Sequence, residues 1–157
     1  MFELNATELA LLNRYSLLDS QKQSDLESYL EYLLFCQYRE ETVRHVLGHP
    51  FLLSGLSQVY QICQREDICW DEVGSKVRQL KYMYHQLLEQ VDAKYQEFSN
   101  CQGGDTVVRD FGRYNFAALL EAVSHQQSGQ VLSQLEDMIS LLQKYRKKNE
   151  RCRIVAV

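Results

Sequence analysis

The four histidines and five cysteines are the side chains best suited to chemistry, and their spacing decides which chemistry is open to them. His45 and His49 stand four apart, so on a helix both imidazoles would share one face, as in zinc proteases carrying H-E-x-x-H. Val46 follows His45 where that motif needs a glutamate base, and Gly48 and Pro50 flank His49 with residues that end helices. The pair therefore reads as a helix end. A di-iron bundle would need Glu-x-x-His on two helices. Tyr82 stands three residues before His85 and Ala122 three before His125, so neither position has its carboxylate.

The cysteines give no stronger signal. Cys36 and Cys63 lie on apolar stretches and read as small buried hydrophobes, Cys69 and Cys101 fall near expected loops, and Cys152 lies close to the C-terminus. An odd count without C-x-x-C spacing, and no apolar leader before it, points to a reducing, cytoplasmic setting. Gly103-Gly104 is followed by Asp105 and Thr106 without the lysine of a phosphate-binding loop. Neither Val43 to Tyr60 nor Trp70 to Tyr84 fits the helix-turn-helix pattern. In the first, Arg44 and Ser54 occupy positions that want small or aliphatic side chains; in the second, Asp71 and Glu72 put negative charge where a phosphate would approach. No catalytic residue, cofactor or metal ligand is expected.

Surfaces are what the pattern leaves. Leu33-Leu34-Phe35-Cys36 is apolar on adjacent positions, hence around much of a helix, which asks for burial on more than one side or for contact with a second chain. Ten tyrosines suit half-wet interfaces. The expected interaction surface comprises Leu33, Leu34 and Phe35, the seam residues Val77, Tyr84 and Val91, and the basic residues Arg146, Lys147, Lys148, Arg151 and Arg153.

The elements that must position these residues are helical. A chain of 157 residues, 45% hydrophobic and 24% charged, with one proline and seven glycines, has few turn signals and enough apolar mass for one core. Asn5 with Glu8 three residues on marks the start of a first helix carrying Leu9, Leu12, Tyr15 and Leu17. Leu26, Tyr29, Leu30, Leu33 and Leu34 continue a second segment, one helix or two, as far as Gly48. Pro50 opens a third, which ends near Arg65. Val73, Val77, Leu80, Tyr84, Leu87 and Val91 alternate by four and three, predicting a long central helix over about 71–98, capped by Asp71 and roughly 40 Å long.

Asn100 to Asp105 reads as a turn, with Asp105 capping a fifth helix that Gly112 is positioned to split. Ser128-Gly129 separates a sixth, carrying Val131, Leu135, Met138, Leu142 and Tyr145, which is a candidate partner for the fourth. The expected fold is all-α, a five- to six-helix bundle in a single domain over 1–145, followed by a basic then apolar tail over 146–157.

These features predict a non-enzymatic protein–protein interaction module of regulatory or adaptor type, homo-oligomeric, with a protein partner or a second copy as its target. The alternative is a nucleic-acid-associated regulator using the basic C-terminal tail, although a net charge of -4 gives no generally positive face. No stretch has the apolar length of a membrane span.

Overall fold

The computed structural model describes the backbone of residues 3–98 and 106–154 and the side chains of 3–98 and 107–148. Helix α1 (Ala6–Ser16) begins at a capping box. Asn5 Oδ1 accepts from the N–H groups of Thr7 and Glu8 at 3.0 Å, and Glu8 Oε2 accepts from the Asn5 N–H at 2.8 Å. Asp19 caps α2 (Ser20–Thr42), which continues without a break into a π-helical turn, Val43–Leu47. Residues 20–47 are thus one helix. Its last turn is widened: the Gly48 N–H donates to Val43 O, five residues back, at 2.9 Å. Thr42 loosens the same turn from inside, donating Oγ1 to the carbonyls of Tyr38 and Arg39, each at 2.9 Å.

Helix α3 (Pro50–Cys63) starts on its proline. Helix α4 (Trp70–Lys94) starts one residue earlier than Asp71, so Asp71 and Glu72 lie in its first turn, against the positive end of the helix dipole, and do not cap it. It also stops at Lys94, short of Phe98. Tyr95 leaves the helix to bury its ring edge-on against Tyr38, at 5.4 Å between centroids, and this tertiary contact outweighs continuation of the seam.

Helix α5 is continuous through Thr106–Asp110, a π-helical turn Phe111–Asn115 and Phe116–Ser124. Gly112 therefore does not split it. A Cβ at Gly112 would lie 2.5 Å from Tyr84 Cε1, so glycine is what lets the Tyr84 ring rest on the α5 backbone, with its hydroxyl donating to Val108 O. The α5 end is an αL cap with Gln126 at φ 53°; Gln126 N–H donates to Val123 O and Gln127 N–H to Ala122 O. The turn falls there, and Ser128 and Gly129 already belong to α6 (Ser128–Ile154). Asp105, the expected cap of α5, lies outside the described residues, as do Cys101 and Gly103-Gly104.

Helices α3, α4, α5 and α6 form a four-helix bundle. In it α3 and α5 each touch both α4 and α6, so α6 stands diagonally across from α4 and its partners are α3 and α5. The core is filled by Leu52, Leu56 and Val59 from α3, Val73 and Val77 from α4, Phe116 and Leu119 from α5, and Val131, Leu135 and Met138 from α6. Each is fully enclosed, a contribution of roughly 1.5–3 kcal/mol per large aliphatic side chain. The end of α2 seats Val46 and Leu47 against this bundle, while α1 contributes no buried residue. The architecture is all-α; among the described residues there is no strand, and no helix is long and apolar enough to cross a membrane.

Candidate interaction surface

Residues 3–33, none of them buried, project from the bundle as a helical arm. Within α2, Leu26, Tyr29, Leu30 and Leu33 fall at i, i+3, i+4 and i+7 and so share one face. Tyr38 and Thr42, which face the bundle and are each 1% exposed, lie on the opposite side of the same helix. An apolar face therefore points away from the only core the chain builds within its described residues. Leu33 is 42% exposed, Tyr29, Leu30 and Tyr32 about half or more, and in α1 Leu9, Leu11 and Leu12 are similarly bare, with Leu17 at 86% in the turn between the helices. Of the fourteen large apolar side chains exposed among the described residues, nine lie between Leu4 and Leu33, so the surplus is concentrated on the arm and not scattered.

The elbow between α1 and α2 is held by polar contacts. Tyr15 donates its hydroxyl to Glu27, and Gln23 Nε2 donates to Tyr15 O at 3.1 Å. The base of the arm is held more firmly. Tyr38 donates to Asp92 Oδ1 at 2.6 Å, and the Arg109 guanidinium reaches both the Tyr38 hydroxyl, at 3.0 Å, and the Asp92 carboxylate, at 3.3 Å, joining α2, α4 and α5. Burial, and then the neighbouring Asp92 carboxylate, push the Tyr38 phenol up to about 12. Beside it, Glu41 accepts from Tyr95 at 2.5 Å and pairs with Lys94 at 2.9 Å; these contacts, Tyr95 first, hold the Glu41 carboxyl below its usual range. The arm is thus fixed at one end; along its length most side chains are exposed, a few such as Tyr15, Leu18 and Leu26 are half-buried, and none is buried.

The sequence-predicted surface divides three ways. Leu33 is on the exposed face; Leu34 and Phe35 are half-buried, packed against the bundle as α2 reaches it, with Arg39 over the Phe35 ring at 5.7 Å. Val77, Tyr84 and Val91 are corrected: they are 0–3% exposed and face the core of their own chain, because α3 and α5 supply the partner their seam requires. Arg146, Lys147 and Lys148 are exposed on α6, which carries the basic stretch on as helix to Ile154; the side chains of Arg151 and Arg153 lie outside the described residues. The arm residues that sequence reading left out of the surface include Leu9, Leu11, Leu12 and Leu17 in and after α1 and Tyr29, Leu30 and Tyr32 in α2, whose signal was an apolar periodicity in both helices.

Sites for other chemistry are sparse. The His45 and His49 rings stand edge-on at 6.5 Å, and among the described residues no group of three or more His, Cys, Asp or Glu side chains could hold a metal ion. Burial, then the proximity of His45, push the His49 imidazole below its usual range, towards the neutral form. An open depression lined by Glu66, Asp67, Cys69, Trp70 and Ser128 sits at the loop between α3 and α4. No protein-family model, curated protein or solved structure matches the chain.

Proposed function

We propose that the protein is a non-enzymatic interaction module of regulatory or adaptor type that self-associates, with the four-helix bundle as its base and the arm of α1 and the first half of α2 as its contact surface. One observation carries this reading: α1 has eleven residues, none of them buried, and exposes leucines around much of its circumference. An isolated helix shorter than about 12–15 residues is marginal in water, so a helix of this length needs packing, and the described residues of its own chain bury none of its side chains. The arm as a whole gathers nine exposed large apolar side chains, a concentration of the kind that marks an interaction site.

Light scattering coupled to size-exclusion chromatography tests the reading. The wild-type chain, 18.4 kDa, should elute with the mass of an oligomer, and Leu30→Glu combined with Leu33→Glu should return it to one chain with the helix content of the bundle retained. A wild-type protein that stays at 18.4 kDa across the accessible concentration range would overturn self-association.

A further inference from the structure

The face of α2 that looks away from the bundle is its own complement. Lys22, Leu26, Tyr29, Leu33, Cys36 and Glu40 recur at intervals of four, three, four, three and four, which is the heptad spacing of a two-helix seam. They are also symmetric about residue 31: turned end over end, the seam lays Leu26 on Cys36, Tyr29 on Leu33 and Lys22 on Glu40. We propose that this seam is covered by the same seam of a second copy, antiparallel, with the two-fold axis crossing it at the level of residue 31, between Leu30 and Tyr32. The inference rests on the self-association proposed above and adds to it a direction and a register.

Charge decides the direction. A parallel pair in register would stack Lys22 on Lys22 and Glu40 on Glu40 in a contact with little water, whereas the antiparallel pair places a lysine opposite a glutamate at each end. Both side chains are at the surface: Glu40 is exposed, and Lys22 is 65% exposed in a pair with Asp19 of its own helix start at 2.9 Å, a contact of the solvent-screened kind that a partner carboxylate can share. The residues flanking the seam agree, since Asp25 approaches Arg39 of the second copy, and Leu30 meets Leu30 across the axis. Seam and bundle do not compete for space, because Tyr38 and Thr42 take up the opposite side of the helix.

Disulfide trapping reads the register directly. In a background with Cys69, Cys101 and Cys152 changed to serine, Leu26→Cys should give a cross-linked dimer on a non-reducing gel under copper–phenanthroline and air, through the native Cys36 of the second copy. Cys36→Ser should abolish the cross-link. The background chain, which keeps Cys36 and the buried Cys63, should give none. Cross-linking through Cys36 alone, or through the introduced thiol once Cys36 is gone, would show a parallel or shifted pairing and overturn the proposal. A dimer by light scattering that fails to trap overturns the register and leaves self-association standing; a monomer overturns both. Charge exchange supplies a second readout: Lys22→Glu should weaken the dimer about tenfold, and adding Glu40→Lys should restore it, since only the antiparallel register joins these two positions.

Discussion

Tyr38 is the residue on which the arm turns. It is enclosed at the junction of α2 with α4 and α5, and its hydroxyl belongs to a three-part contact with Asp92 and Arg109. A phenol whose value rises from 10.0 to about 12 on folding favours the fold while it is neutral, so its contribution is complete below about pH 10 and is lost as pH climbs towards 12. Chemical denaturation across that window should show stability falling between pH 10 and 12, and the fall should be shallower in Tyr38→Phe. Gly112 makes a steric prediction. With a Cβ 2.5 Å from the Tyr84 ring, Gly112→Ala should destabilise the bundle by about 1–3 kcal/mol despite alanine's better helix propensity, measured from the urea midpoint. Gln126 predicts the reverse. It holds an αL conformation at φ 53° that costs a residue with a side chain roughly 1–2 kcal/mol, so Gln126→Gly should raise stability by up to that amount.

At the scale of elements, the helices were legible where a seam repeats and illegible where a contact from elsewhere ends them. The four-three rhythm from Val73 to Val91 announced α4, and the capping box at Asn5 and Glu8 announced α1. Both ends of α4 differed from expectation because Trp70 joins the helix and Tyr95 leaves it for Tyr38, a pairing across 57 residues of sequence that no local pattern encodes. The same limit explains Val77, Tyr84 and Val91. A heptad seam states that a helix has a partner, and does not state whether the partner belongs to the same chain; here α3 and α5 provide it. Leu33 to Cys36 showed the same limit, since four adjacent apolar residues ask for burial on more than one side without saying whose; the structure half-buries Leu34, Phe35 and Cys36 within the chain and leaves Leu33 exposed. The arm and the bundle should therefore differ in amide exchange. In the Leu30→Glu, Leu33→Glu protein the amides of α1 should exchange close to unprotected rates while those of α3 and α6 stay slow, and in the wild-type oligomer α1 should gain protection.

For the whole molecule, the division between a filled bundle and a bare arm would make the proposed self-association a stability term. If the arm folds fully only against a second copy, oligomer formation is linked to folding, and the melting temperature must depend on protein concentration. Each tenfold rise in concentration adds about 1.4 kcal/mol per dimer, and for two chains of this length that corresponds to an upward shift of about 2 °C. The bundle supplies a contrast inside the same molecule, since Leu56, Leu119 and Leu135 pack wholly within one chain. Leu119→Ala should therefore destabilise the fold by about the 2–5 kcal/mol of a large-to-small core change, lowering the melting temperature at every concentration and leaving its slope with concentration intact. Leu30→Glu with Leu33→Glu should do the opposite, flattening the slope while sparing the bundle, because those side chains touch little in their own chain. A wild-type melting temperature independent of concentration would separate arm from stability and leave its apolar face without the self-partner inferred for it.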